Sequence, residues 1–251
     1  SDSVRVAGLV LDFFCVPLIQ VGNDFNLPSY IFLTCNAGFL GMVKYLPQRH
    51  RKIASELDLK SSDHQIPGYV SSVPCKFLPP GQFVKESYEA WVEIADKFPG
   101  AKGILVNSFT CLEQHAFDYF ARCPENYPPV YPVGPVLSLE DRPAPDLDPS
   151  DRERIMRWLE DQPECSVVYL CFGSFGVLCA PQIEEIARAL EISGHRFLWS
   201  IRTEKASPYD LLPDGFMDRT ASKGLVCGWA PQVEVLAHKA AGGFVSHCGW
   251  N

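Results

Sequence analysis

Short apolar runs alternate with amphipathic segments along most of the 251 residues. The clearest runs are residues 6–11, 29–33, 101–109, 166–172 and 196–201. Largely apolar runs of this length are typical of strands that are buried on both faces, as in a parallel sheet. Parallel neighbours need a long crossover connection, which the amphipathic segments supply as helices. The pattern therefore predicts an α/β fold built on parallel sheets.

The first crossover is expected to bring two polar residues together. Asp12 follows the first apolar run and Thr34 follows the second, with a predicted helix at about residues 16–25 between them. The carboxyl ends of parallel strands meet at one edge of a sheet, where α/β proteins bind ligands. We therefore expect both residues to face one crevice. Their types alone leave other roles open, since Asp12 could cap a helix or be a solvated loop carboxylate and Thr34 could be a simple cap.

A glycine turn follows the strong apolar run at residues 166–172. It reads Gly173-Ser174-Phe175-Gly176, and a helix is predicted to start at Pro181. This G-x-x-G turn lacks the third glycine of a dinucleotide fingerprint, so by itself it is weak evidence for such a ligand.

A proline-rich, acidic stretch at residues 130–149 separates the two halves of the chain. Such composition is typical of a semi-rigid connector between domains. We predict a first domain at residues 1–136, a linker at 137–150 and a second domain at 151–251. The alternative is a long surface loop within a single domain.

The composition excludes several classes of function. The net charge of −8 argues against nucleic acid or an anionic membrane as a partner. No apolar run is long enough to span a bilayer and no secretory segment is present, so no integral membrane segment is expected. None of the ten cysteines is at CxxC spacing, which argues against a zinc site and favours free thiols in a reducing compartment. A cytoplasmic monomer without a bound metal is expected.

Residues 229–251 contain two junctions between an apolar run and a turn. Trp229 stands at the first junction and His247 at the second, and each turn is expected to open a helix. The unpaired N–H groups at a helix start bind anions. Gly249 allows the backbone to approach a ligand closely, and Gln232 adds a side-chain amide. Together these groups predict a site for a phosphate that is carried by a flat group.

This stretch, WAPQVEVLAHKAAGGFVSHCGWN, resembles the first half of the signature box of plant secondary-product glycosyltransferases. That family uses UDP-sugars and has the GT-B fold, so the resemblance implies two Rossmann-like domains that face each other across a cleft, both incomplete here. It also implies that the box tryptophan stacks on uracil and that the histidine holds a phosphate. The matching donor-binding positions are Trp229, Ala230, Gln232, His247, Gly249, Trp250 and Asn251.

The same resemblance assigns residues outside the box. The segment VLDFFC is similar to one whose aspartate orients a catalytic histidine, which makes Asp12 the candidate catalytic residue. Thr34 matches a position that contacts the transferred sugar, and Ser174 matches a serine near the donor phosphates. None of the six histidines precedes Asp12, and the family's ribose-binding glutamate would follow Asn251. Both domains are therefore expected to be incomplete.

Together these features predict a UDP-sugar-dependent glycosyltransferase that moves glucose, with inversion, to a hydroxyl of a small phenolic, flavonoid or terpenoid acceptor. UDP-glucose or a related UDP-sugar would be a co-substrate, and no cofactor is expected. Candidate residues for the acceptor pocket are Phe13, Phe14, Phe39 and Met42. One alternative is a non-catalytic fragment that binds UDP without transferring sugar. A nicotinamide-dependent oxidoreductase is a further alternative, which rests on the glycine turn alone.

Overall fold

The computed structural model describes residues 5–123, 127–137, 147–174, 176–203 and 207–250. The chain divides into two compact units, unit 1 (residues 1–138 and 250–251) and unit 2 (residues 139–249). Each unit contains a four-stranded sheet in which every neighbouring pair of strands is parallel. The predicted α/β class is confirmed.

The strands follow the apolar runs of the sequence. They are β1 (Leu9–Asp12), β2 (Ser29–Leu33), β3 (Gly103–Val106), β4 (Val130–Pro132), β5 (Val167–Cys171), β6 (Arg196–Ser200), β7 (Gly224–Cys227) and β8 (Ala241–Ser246). The α-helices are α1 (Ile19–Asp24), α2 (Ala37–His50), α3 (Lys85–Asp96), α4 (Gln114–Ala121), α5 (Pro149–Glu160), α6 (Ala180–Ser193), α7 (Phe216–Thr220) and α8 (Gln232–Ala237).

Unit 1 arranges its strands in the order β1-β2-β3-β4. The side chains of Ile31 and Leu33 in β2, and of Ile104 and Val106 in β3, are fully buried. Each such side chain contributes about 1.5–3 kcal/mol when it leaves water, which is why the apolar runs take the centre of the sheet. β4 is an edge strand, a position that tolerates its terminal proline.

Two prolines shape the helices of unit 1. The helix predicted at residues 16–25 is divided into a 3-10 helix, Phe13–Leu18, which contains Pro17, and the short helix α1. Proline has no N–H to donate along a helix, so the first turns do not form a regular α-helix. Pro47, in contrast, lies inside the last turns of α2, which ends only at His50.

Unit 2 has the strand order β7-β6-β5-β8. The chain passes from β5 outward through β6 to β7, and then returns to place β8 on the opposite side of β5. The strand order therefore reverses beside β5. In open parallel sheets a ligand crevice forms at such a point, outside the carboxyl ends of the strands. Most of the predicted linker, residues 138–146, lies outside the described residues.

Candidate functional site

The carboxyl edge of the unit 2 sheet collects one candidate residue from each of four loops. Ser174 follows β5, Arg202 follows β6, Trp229 follows β7 and His247 follows β8. Because all four strands are parallel, these loops emerge at the same edge. Three of the four residues were predicted from the sequence, and the structure brings them to one edge.

His247 is fitted against two glycines at the point where the strand order reverses. A Cβ atom at Gly173 would lie 2.7 Å from Nε2 of His247, and one at Gly249 would lie 2.2 Å from the same atom. A side chain at either position would displace the His247 ring, and Gly173 also has a positive φ of 90°. His247 itself is exposed. The two glycines therefore allow the imidazole to sit against the backbone and still face solvent.

Trp229 is stacked against a cation that the sequence analysis missed. The Cζ atom of Arg202 lies 4.0 Å from the centroid of the Trp229 ring. The Nε–H group of Arg202 donates to the backbone oxygen of Ser174 over 3.4 Å. The sequence does contain a signal for Arg202. This residue comes just after the apolar run at residues 196–201, which places it at the same edge of the sheet as the other site residues.

Two other predicted donor-binding residues differ in what they can offer a ligand. The side chain of Ala230 is buried in the core of unit 2, so only its backbone groups are available to a ligand. Gln232 is exposed at the first position of α8. A ligand contact from Ala230 would therefore use its backbone, whereas Gln232 offers its side-chain amide.

The second predicted helix start is not tested by the described residues. Residues 247–250 after β8 form no helix, and Cys248 has a left-handed φ of 54°. The amide of Cys248 donates instead to Oγ of Ser246 over 3.0 Å. Four residues are fewer than one α-helical hydrogen bond spans, so these residues alone supply no helix N-terminus.

Neither of the last two residues of the predicted set belongs to the described part of unit 2. Trp250 belongs to unit 1, where its indole N–H donates to the backbone oxygen of Asn107 over 2.8 Å. Asn251 lies outside the described residues.

Asp12 and Thr34 lie at the carboxyl edge of the unit 1 sheet, as their positions in the sequence predicted. Asp12 pairs with Phe32 in the parallel register, and Thr34 comes two residues after Phe32. Both side chains are exposed. Oδ1 of Asp12 accepts from the amide of Phe14 over 3.0 Å and thereby caps the 3-10 helix. Capping is thus one role of Asp12, and its second oxygen remains for another partner.

Glu113 occupies the start of α2, and the sequence analysis did not identify it. Its carboxylate accepts from the amides of Ala37 and Gly38 over 2.9 and 3.0 Å, and from Oγ of Ser108 over 2.5 Å. These are the unpaired N–H groups that would otherwise attract an anionic ligand. Desolvation by burial, assisted by this charge, raises the pKa of Cys35 to about 12. The protein's own carboxylate therefore fills the anion position of unit 1.

The four side chains predicted for an acceptor pocket do not form one surface. Phe13 is buried and packs with Phe14 and Phe39, at ring-centroid distances of 5.1 and 5.4 Å. Met42 is buried in a separate cluster. Phe14 alone among the four exposes most of its ring, about 70%. That prediction is wrong for Phe13 and Met42, because helix packing turned them into the core.

Among the described residues, no group of three or more His, Cys, Asp and Glu side chains is placed to hold a metal ion. No helix in this part of the chain combines the length and the apolar character that a membrane crossing requires.

Glu113→Ala is expected to lower the free energy of unfolding by about 1–3 kcal/mol, because two buried backbone donors lose their acceptor. Urea denaturation followed by circular dichroism measures the change. Glu89→Ala, an exposed glutamate on α3, is the matched control and should shift stability by no more than about 0.5 kcal/mol. Equal shifts for the two variants would contradict the capping role.

Comparison with known proteins shows which family the chain resembles. The family model described as "UDP-glucoronosyl and UDP-glucosyl transferase" matches residues 138–251. UDP-glycosyltransferase 71C3 of Arabidopsis thaliana is 79% identical over the whole chain, which covers 54% of that relative. Flavonol 3-O-glucosyltransferase UGT71C1 of the same plant is 67% identical, again over the whole chain and 53% of its own length. The chain therefore spans about half the length of these curated relatives.

Solved structures of plant enzymes have the same fold. A transferase from Siraitia grosvenorii in complex with UDP has a TM-score of 0.91 and 43% identity, with all of this chain and 60% of that chain covered. Medicago truncatula UGT71G1 complexed with UDP-glucose has a TM-score of 0.88 and 49% identity, with all of this chain and 54% of that chain covered.

Proposed function

We propose that this chain, which matches the model of the UDP-glucoronosyl and UDP-glucosyl transferase family over residues 138–251, takes part in moving glucose from UDP-glucose to a hydroxyl of a small acceptor. The observation that carries the proposal is the convergence of Ser174, Trp229 and His247 at one edge of the unit 2 sheet. UDP-glucose serves as co-substrate, and the reaction requires no further cofactor. A small phenolic, flavonoid or terpenoid is the proposed acceptor class, supported by the flavonol glucosyltransferase among the relatives.

In this proposal unit 2 binds the donor. Trp229 stacks on uracil, Ala230 and Gln232 contact the uracil and ribose, and His247 and Ser174 contact the diphosphate. The net charge of −8 offers no general attraction for an anion, so local donors must hold the nucleotide. A neutral side chain such as Ser174 and an imidazole such as His247 meet that need. Trp250 and Asn251 complete the proposed set by resemblance to the family.

Unit 1 supplies the acceptor side of the proposed reaction. The acceptor oxygen forms a bond to the anomeric carbon while the bond from that carbon to UDP breaks, which inverts the configuration. The acceptor proton passes to a general base that the Asp12 carboxylate orients, and UDP leaves with its charge held by unit 2. Thr34, at the same edge as Asp12, contacts the transferred sugar.

A second candidate is UDP binding without sugar transfer by these residues alone. One observation favours it. Within the described parts of the chain, the amide of Phe14 donates a hydrogen bond to Asp12, and no histidine side chain does so. Assays of this chain, and of a chain extended to the length of its curated relatives, separate the candidates. Each of the two chains is assayed with UDP-glucose or UDP-galactose as donor and a panel of acceptors. Turnover by the 251 residues would refute the second candidate.

Trp229→Ala is expected to weaken UDP binding about tenfold or more, because stacking of a base on an aromatic ring contributes about 1–3 kcal/mol. Isothermal titration calorimetry with UDP measures the change. Ile192→Ala, an exposed apolar position on α6, should bind like the wild type. Unchanged affinity in Trp229→Ala would remove this residue from the site.

UDP is expected to slow alkylation of Cys248, an exposed thiol beside His247. Peptide mass spectrometry after iodoacetamide treatment at pH 8 measures each cysteine separately. Cys165 is exposed but precedes β5, at the opposite edge of the sheet, so UDP should leave its rate unchanged. Burial raises the pKa of Cys227 to about 12, so this thiol stays protonated and unreactive at pH 8. Equal protection of Cys248 and Cys165 would argue against a site at the carboxyl edge.

Asp12→Asn, made in a chain extended to the length of the relatives, is expected to lower kcat for sugar transfer by at least about tenfold, since loss of an oriented base removes roughly that much catalysis or more. The KM for UDP-glucose should change little, because Asp12 acts on the acceptor side. Initial rates at varied UDP-glucose give both constants. Wild-type kcat in this variant would exclude Asp12 from the mechanism.

A further inference from the structure

Arg202 has a fixed position beside the proposed nucleotide site. It follows β6, which lies between β5 and β7 in the unit 2 sheet. The amide of Ile201 donates to the backbone oxygen of Cys227 over 2.9 Å, and Oγ of Ser200 donates to the backbone oxygen of Gly228 over 3.0 Å. The ends of β6 and β7 are thus held together up to the residues that precede Arg202 and Trp229.

The guanidinium of Arg202 also has a defined orientation. Its Cζ atom lies 4.0 Å from the Trp229 centroid, and its Nε–H group reaches the backbone oxygen of Ser174 in the loop after β5. One side chain therefore links the loops that follow three neighbouring strands. Arg202 is only partly exposed, so this contact is shielded from solvent on part of its surface.

The chemistry of the pair favours a supporting role for the arginine. A planar guanidinium stacks on an aromatic face, and such a pair contributes about 0.5–2 kcal/mol. Gly228, which precedes Trp229, has no side chain, and the hydrogen bond from Ser200 holds only its backbone, whereas Arg202 contacts the Trp229 ring itself. A ring has two faces, and a cation on one face leaves the other for a nucleobase.

We propose that Arg202 is a positioning residue that holds the Trp229 ring in the orientation in which uracil stacks on its opposite face. This inference rests on the proposed binding of UDP at Trp229. Arg202 acts through the indole and not as a ligand of the phosphates. This contact lowers the free-energy cost of ordering the Trp229 loop when UDP binds.

The test compares UDP and uridine binding by the complete 251-residue chain. Arg202→Ala is expected to weaken both ligands by the same factor, about three- to tenfold, as loss of a cation–π contact implies. Arg202→Lys, which keeps the cation, should recover part of the affinity. Arg188→Ala removes an equal charge from the exposed surface of α6 and should bind like the wild type.

Two further readouts distinguish positioning from general structural support. In a Trp229→Ala background, Arg202→Ala should cause no additional loss of affinity, because the partner through which it acts is gone. The near-ultraviolet circular dichroism of the ligand-free protein should change in Arg202→Ala, and this change should be absent in the Trp229→Ala background. Far-ultraviolet spectra confirm that each variant is folded.

Several results would overturn the inference. Unchanged binding in Arg202→Ala excludes the role, and tighter binding means that Arg202 occupies the face that uracil needs. A loss confined to UDP, with uridine unaffected, makes Arg202 a phosphate ligand instead. If the wild type binds no UDP, the proposed donor site fails and the role of Arg202 with it. If the wild type binds UDP and Arg202→Ala binds equally well, only the role of Arg202 fails.

Discussion

The parallel pairing of β5 with both β6 and β8 is the constraint on which the candidate donor site depends. Because β8 returns to the free side of β5, the strand order reverses between these two strands, and in open parallel sheets a ligand crevice forms at the carboxyl edge of such a point. Ser174 and His247 stand on either side of that point. A different position for β8 would separate them, whatever their own side chains could do.

At the carboxyl edge of unit 2, the candidate site residues pack against one another. Gly173 and Gly249 have no side chains, so the His247 ring lies directly against the backbone. Arg202 fixes the plane of Trp229 from the next strand. A site whose groups are already in place spends less of the binding free energy on ordering them. This matters in a chain with a net charge of −8, where no general field attracts a nucleotide.

The two units share a parallel four-stranded sheet but differ in the electrostatics of their carboxyl edges. In unit 1 the Glu113 carboxylate fills the start of α2, and the exposed Asp12 adds a second negative charge. Unit 2 presents the His247 imidazole at the corresponding edge. An anionic donor is therefore favoured on unit 2, and proton removal is favoured beside unit 1, which matches the proposed division of roles.

The sequence alone determined the α/β class and the positions of most strands, and it carries the family resemblance, because largely apolar runs and the box at residues 229–251 are local signals. β2 formed at residues 29–33 as predicted, and Asp12 and Thr34 lie at one edge. Only the tertiary structure decided the roles of Glu113 and Arg202, whose partners are about 75 and 27 residues away. Contacts over such separations depend on how the strands are ordered. The same packing buried Phe13 and Met42, which one sequence cannot distinguish from pocket residues.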